Sequence, residues 1–327
     1  MFDVYFLPEY GHLCETMDGG TCELYKYESS SGKMTNMFIK RPVPWIIDNV
    51  QYYDIATPYG YGGPIIIEAN DREKLKHEYT IAFAKYCSEN NIISEFVRFH
   101  PIFCNYLDVD DTYDIVYSRH TVGTNLIDYE DPVQKEFAKS IRRDNRRAIE
   151  KGVSVKLIPE PTNLSIFRQL YEKTMDRNRA DKFYYFPDKY YSILENELRP
   201  YLLEAQLHFE NTVIASELYF IAGDILHAHL LGNSEKMLEL AAGGLLEAAA
   251  VKWGKEHGYR YIHHGGGRSN DPEDALYKYK KKFGKNTDFD FYVGRVVWNQ
   301  DIYGALVQKR IEQGPIEQDD FFPKYRA

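Results

Sequence analysis

The sequence is poor in cysteine. Its 327 residues include only Cys14, Cys22, Cys87 and Cys104, with no CxxC pair among them. That spacing argues against a zinc ribbon or a disulfide framework and suits free thiols in a reducing cytoplasm, the expected location. No apolar run approaches the ~20 residues that span a bilayer, so no transmembrane segment is expected. The start, Met1-Phe2-Asp3-Val4-Tyr5, lacks a basic segment followed by a long apolar one. No secretory signal is therefore expected, and the first strand is expected almost at residue 1. A basic surplus is also missing: the net charge of −9 excludes a surface built throughout for nucleic acid, and DNA is not an expected partner. There is no GxSxG, so Ser/His/Asp hydrolysis has no support, and no short repeat or low-complexity segment occurs. Tryptophan is scarce, 3 residues against 28 tyrosines. Tyrosine carries an apolar ring with a polar tip and serves half-wet grooves as well as cores.

What is present indicates a globular α+β protein of about two domains. Cys22–Tyr27 and Thr35–Ile39 have strand composition and flank a polar, Gly-containing turn. Ile65–Glu68 is a short strand. Arg72–Asn90 is a helix with Leu75, Tyr79, Phe83 and Tyr86 on one face. Strands at Ile93–Phe99 and Tyr113–Tyr117 precede a helix from about Asp131 to Lys151, stopped by Gly152. Val153–Leu157 alternates as a strand, and Pro159-Glu160-Pro161-Thr162 reads as a linker. The expected domains are therefore residues 1–157 and 158–313, with 314–327 a tail that packs back on the first domain or frays. The second half continues with helices Leu164–Arg179 and Asp188–Leu198, then strand Glu204–Phe209. A hairpin follows, Val213–Ile221 and Ile225–Leu231 around Ala222-Gly223-Asp224, and after it a helix, a strand and a helix.

The chemistry concentrates after that hairpin. Gly243-Gly244 opens a helix whose N-terminus, with unpaired N–H groups and a positive dipole end, suits a pyrophosphate or carboxylate; a plain turn is the alternative. The strand Tyr259–His263 runs into His264-Gly265-Gly266-Gly267, where glycines allow a ligand close to the backbone. Asp274–Gly284 then sets Lys278, Lys280, Lys281 and Lys282 among aromatics. Such lysines suit a polyanionic ligand or charge developing at a reacting centre, or else form a solvated helix end before the Gly284 stop.

Asp54 with Thr57-Pro58-Tyr59-Gly60-Tyr61-Gly62-Gly63-Pro64 resembles the first-domain signature of the FemAB-like transferases, the peptidoglycan interpeptide-bridge family related to GNAT acetyltransferases. The resemblance continues through Arg143–Val153 and Tyr171–Arg177, and ends with His264–Gly267 and Leu276–Gly284. It implies two GNAT-like halves in tandem, each a mixed sheet flanked by helices, with a cleft between them. It also implies transfer of an acyl or aminoacyl group from an activated donor to an amine, extending to a peptidoglycan precursor as acceptor. The family's Phe-Lys pair falls on Tyr279-Lys280, which carries a role near the reacting carbonyl or donor phosphate to Lys280. The tyrosine keeps the ring and adds a hydroxyl. No long charged helical hairpin is present, and Asn233–Gly244 stands where simple GNAT enzymes have their coenzyme A loop.

Amide formation from an activated ester or thioester needs no protein nucleophile, only positioning, proton removal and oxyanion stabilisation. Lys280 is the expected stabiliser, with N–H groups near Gly265, Gly266 and Gly267. Glu217, mid-strand among apolar residues, is the expected base if its pKa is raised, or a solvent-facing acid otherwise. Gly243, Gly244, Tyr279, Lys281 and Lys282 complete the donor side. Asp54, Tyr59 and Tyr61, with Arg142, Arg143 and Arg146, form the expected acceptor side. Arg142 and Arg146 lie on one cationic helix face with Lys135 and Lys139, with Arg143 and Arg147 alongside, suited to a nucleotide-linked precursor or tRNA, or simply solvated. Asp54 alternatively caps a turn. His227 and His229 would bind metal only with a third ligand, and no metal is expected. No bound cofactor is expected: the donor is a co-substrate, aminoacyl-tRNA or acyl-CoA, and the acceptor is a small molecule or cell-wall precursor. A non-catalytic binder of an anionic ligand and an acyl-CoA-dependent enzyme acting on an unrelated amine are the alternatives.

Overall fold

The computed structural model describes residues 3–317 and 320–327; Met1, Phe2, Gln318 and Asp319 lie outside the described residues. The chain divides into two compact units, one of Tyr10–Ser118 with Phe291–Ala327, the other of Arg119–Asp290 with Met1–Glu9. Where a strand was expected at the start, Val4–Phe6 forms a 3-10 turn capped by Asp3, and α1 runs over Pro8–Asp18. A proline at the first helical position is pre-set for that turn.

The first unit is built on β1 (Thr21–Ser29), β2 (Gly32–Pro42), β3 (Tyr53–Ala56), β4 (Ile65–Ala69), α2 (Arg72–Glu89) and β5 (Ile92–Arg98). Asp71 caps α2 by accepting from the Lys74 N–H, and the helix buries Leu75, Tyr79, Phe83 and Cys87 at intervals of one turn. These rings pack with Phe38, Ile55, Val97, Phe99 and Tyr113 into the core of this unit. Tyr79 and Phe83 stack 5.5 Å apart. The chain leaves this unit within β6 (Asp114–Asn125) and returns within a late strand described below.

In the second unit the expected single helix over 131–151 is two: α3 (Pro132–Glu136) and α4 (Lys139–Glu150). Phe137 breaks it by adopting extended backbone and burying its ring in the core, against Phe283. Gly152, at φ +93°, ends α4 as its position suggests. There follow β7 (Ser154–Pro159), α5 (Ser165–Asn178), α6 (Asp188–Asn196), β8 (Leu202–Phe209), β9 (Thr212–Phe220) and β10 (Ile225–Asn233). Then come α7 (Glu235–Glu239), α8 (Gly244–Glu256), β11 (Tyr261–Gly266) and the short α9 (Ala275–Lys280). Strand order here is β6-β11-β10-β9-β8-β7, antiparallel except for the parallel β10–β11 pair. Helix α8 packs against β7 and β8, and its Leu246, Ala250 and Val251 lie in the core with Leu203, Leu207 and Ile262. The chain then enters β12 (Asp288–Val297), whose end pairs antiparallel with β5, and closes with α10 (Gln300–Glu312). The first unit thus has the order β1-β2-β3-β5-β12, with β4 on β2.

The boundary differs from the expected one at residue 157. The helix expected to close the first half belongs to the second unit, because Asn145 donates to the Gly244 carbonyl at 2.9 Å and α4 packs on α8. Strand β6 joins β11 for the same reason: its residues 121–125 find their ladder partners there. In the tail, Tyr325 is buried with Val43, Ile47, Ile93 and Leu306 of the first unit.

Candidate active site

Five elements of the second unit bring polar side chains to one place: β6, β9, α8, β11 and α9. Glu217 lies in mid-β9, paired with Ala205 and Leu231 of the neighbouring strands. It is buried, not solvent-facing, and accepts at Oε2 from the Tyr219 hydroxyl at 2.8 Å. Burial, reinforced by the nearby Glu247, raises its carboxyl well above the usual range. Glu247, in the first turn of α8, is 7% exposed, and among the described residues its Oε2 has no hydrogen-bond partner. Its Oε1 lies 3.5 Å from Nδ1 of His264, itself 4% exposed on β11. Nε2 of His264 is 2.8 Å from the Thr124 hydroxyl of β6.

Lys280 reaches this group from the last position of α9. Its ammonium donates to the Gly266 carbonyl at 2.8 Å. Burial lowers its pKa to about 8, against the opposing attraction of Glu247, Asp274 and Glu217. The other lysines of the segment are engaged elsewhere or exposed. Lys278 pairs with Glu273; Lys281 pairs with Asp288 at 2.5 Å and donates to the Gly284 carbonyl at 2.9 Å. The Lys282 side chain is exposed, while its carbonyl accepts from the Ala138 N–H. One lysine of four therefore meets the carboxylates. The end of α9 is fixed by Phe283, buried in the core, and by Gly284, where a Cβ would come within 1.9 Å of the Gly123 carbonyl oxygen. Tyr279 sets its ring edge-on to Phe283 at 5.2 Å, and its hydroxyl lies 3.7 Å from where a Cβ on Gly243 would stand.

The glycines expected on the donor side have other work. Gly244 lets α8 meet α4: a Cβ there would lie 2.5 Å from Ile141 Cγ2 and 2.6 Å from Asn145 Oδ1. The start of α8 is not an open anion site, because the Leu245 and Leu246 N–H groups already donate to the Ala242 and Gly243 carbonyls and an acid occupies the first turn. Gly265, at φ +73°, follows a bulge of β11 against β6 that falls at His264. The carbonyls of Gly266 and Gly267 accept from Lys280 and from the Arg119 guanidinium.

The acceptor-side residues are divided between the units. Asp54 is buried in the first unit and its oxygens are taken by Arg41, Tyr325 and Arg326, so it ties the chain's end to β3 rather than offering a free carboxylate. Tyr59 is 43% exposed, its carbonyl accepting from the Tyr10 hydroxyl; Tyr61 is half-buried, with Phe291 edge-on at 5.2 Å. In the second unit Arg142 donates to the Gln134 carbonyl and Arg143 pairs with Asp144 at 3.1 Å, while the Arg146 side chain is exposed. His227 and His229 do not act together. A bulge falls at residue 229; His227 lies 2.6 Å from Asp3 and His229 2.6 Å from the Tyr190 hydroxyl.

Sequence reasoning passed over Glu247, His264 as a functional side chain, Thr124 and Tyr219. The signal for Glu247 was a single acid inside the apolar run Leu245-Leu246-Glu247-Ala248-Ala249-Ala250. The other three become visible only when the strands are laid side by side.

Residues 135–281 match the family of acetyltransferase (GNAT) domains. No curated protein matches by sequence. Among solved structures the chain is similar to FemX, with a TM-score of 0.70 and 12% identity over 93% of this chain and 94% of that one. It is similar to the C-terminal domain of a putative lysylphosphatidylglycerol synthetase from Agrobacterium fabrum, TM-score 0.58 and 12% identity over 93% and 91% of the two chains. L-PGS from Bacillus licheniformis gives 0.54 and 15% identity over 87% and 90%. Residues 135–281, which carry the Glu217–Glu247–His264–Lys280 group, thus match a GNAT acetyltransferase domain, and the chain has the fold of the FemX structure.

Proposed function

We propose that the protein transfers an acyl or aminoacyl group from an activated donor to an amine, forming an amide. The observation that carries the reading is Lys280: a half-buried ammonium, inside the matched GNAT domain, held against a backbone carbonyl and next to two buried carboxylates. A cation kept in a low-dielectric site stabilises an oxyanion more strongly than one in water. The carboxylates supply a place for the proton that the amine must lose. Tyr279 lines the same end of α9, and Lys282 with Arg142, Arg143 and Arg146 would meet the phosphates of donor or acceptor.

Between donors, the closed start of α8 favours one that does not rest a pyrophosphate there. An aminoacyl ester on tRNA fits this better than acyl-CoA. The exposed Lys139, Arg143, Arg146 and Arg147 of α4 suit such a polyanion. A nucleotide-linked peptidoglycan precursor is the proposed acceptor, and the cytoplasm, where both substrates are made, the proposed location. Among the described residues no helix is long and apolar enough to cross a membrane.

The test is a product screen by mass spectrometry. The purified protein is incubated with acetyl-CoA or with alanyl-, seryl-, glycyl- or lysyl-tRNA, each with UDP-linked muramyl pentapeptide or with simple primary amines. Amide product from an aminoacyl-tRNA is expected, and Lys280→Ala is expected to lower turnover by 100-fold or more while the far-UV spectrum is unchanged. Wild-type turnover in the alanine variant removes Lys280 from the mechanism. Product from acetyl-CoA alone overturns the donor assignment, and tight retention of a donor without product favours a binding protein.

A further inference from the structure

The hydrogen bonds around His264 fix where its proton sits. The Thr124 hydroxyl has one hydrogen, and its oxygen lies 2.8 Å from the Phe283 carbonyl, which can only accept. Thr124 therefore donates to Phe283 and must accept from its other neighbour, Nε2 of His264, also at 2.8 Å. His264 is thus protonated at Nε2, and Nδ1 is the atom that faces Glu247 Oε1. A bare Nδ1 lone pair and a carboxylate oxygen repel each other, so the pair is held by a proton on Nδ1 facing the Glu247 carboxylate. Both side chains are buried, and among the described residues the second carboxyl oxygen of Glu247 has no hydrogen-bond partner.

The neighbouring acid differs. Glu217 sits in mid-strand, far from any helix end, and its Oε2 is already taken by Tyr219. Burial and the neighbouring Glu247 raise its carboxyl well above the usual range, which favours its protonated form. Glu247 has the positive end of α8 beside it, which favours negative charge there. The groups that feel Glu247 are Glu217 and Tyr219 on β9, Tyr279 and Lys280 on α9, and His264 on β11.

Resting on the acyl-transfer reading, we propose that Glu247 is the base of the reaction, its free Oε2 taking the proton from the acceptor amine, and that His264, locked by Thr124, is the positioning residue that holds Glu247. In the step, the neutral amine nitrogen bonds to the donor's carbonyl carbon and the carbon–oxygen bond to the leaving group breaks. The proton lost by nitrogen goes to Glu247 Oε2 and is returned to the departing oxygen, so the enzyme is unchanged after each turnover.

Two measurements test this. The first needs no substrate: long-range 1H–15N spectra of the uniformly labelled protein, with His264 assigned by its loss in His264→Gln. The expected pattern is Nε2 protonated, with Nδ1 changing to that of a plain acceptor in Glu247→Gln, whose amide donates to it. A neutral ring protonated at Nδ1, or no change at Nδ1 in that variant, overturns the locked pair. The second uses the most active donor–acceptor pair from the screen above. Glu247→Gln should lower kcat by about 100-fold or more, with partial rescue in Glu247→Asp and a smaller loss in Glu217→Gln. Thr124→Val should move the acidic limb of the kcat/KM profile with little change in KM, which a purely structural threonine would not do. Wild-type kcat in Glu247→Gln, or an unmoved limb in Thr124→Val, overturns the proposal. If the screen yields no product at all, the acyl-transfer reading fails, while the spectra still decide on the pair.

Discussion

At the scale of single residues, identical side chains do different work according to what surrounds them. Four lysines lie within five positions, yet only Lys280 is brought beside the carboxylates; Lys278 and Lys281 are spent on Glu273 and Asp288. Composition marked the segment but had no means of choosing among them, because the choice depends on which helix face meets β11. Buried acids show the same dependence. In the first unit, Glu95 is fully buried and accepts from Asn36 at 2.8 Å and from Tyr113 at 2.7 Å. Burial nevertheless raises its carboxyl from the ordinary 4.5 to about 7. The unfolded chain ionises first, so between those two values the folded state holds more protons. Stability from this group is full below the unfolded value and falls as pH rises through the folded one. Glu95→Gln, which imitates the protonated acid, should match wild type in urea melts at pH 4.5. At pH 8 it should be more stable, on the order of 1–3 kcal/mol. Equal midpoints at pH 8 would show that Glu95 folds ionised.

Among the elements, small residues decide where helices sit. Gly244 permits the α4–α8 contact and Gly232 the packing of β10 under α5, where a Cβ would lie 2.4 Å from the Tyr171 nitrogen. Gly244→Ala should push Ile141 and Asn145 away, break the bond to the Gly244 carbonyl and cost about 1–3 kcal/mol. The same shift moves Glu247 one turn away, so thermal melting and turnover should fall together. An unchanged melting temperature would mean that α4 yields freely. Helices and strands were largely legible because their periodicities are local: α2 reads from its four-residue stripe, and the β9–β10 hairpin from its Gly turn. The break at Phe137 was not legible, since a ring's preference for a core formed by residues such as Phe283 is a long-range matter. The bulges at His229 and His264 escaped too, because a bulge exists only relative to the partner strand.

For the molecule as a whole, the path of the chain is the main lesson. The first unit is completed by residues from the far end of the sequence: β12 pairs with β5, and Tyr325 and Arg326 bind Asp54. Removing residues 323–327 should leave Asp54 with Arg41 alone and open the Val43–Leu306 cluster. A loss of about 3–5 kcal/mol is expected, as for breaking a buried ion pair. It is measured as a lower denaturation midpoint of the truncated chain, and a midpoint within error of wild type would show the tail to be dispensable. The sequence by itself determined the class of fold, most element positions and the lysine-rich segment before Gly284, since each rests on local pattern or on residues near one another in the chain. Only the tertiary structure decided the unit boundary, the closing of the α8 start, the loss of Asp54 to the tail, and the meeting of Glu217, Glu247, His264 and Thr124. Those depend on strand register and helix packing, which join residues far apart in the chain, and on burial, which raises the Glu217 carboxyl above its ordinary range.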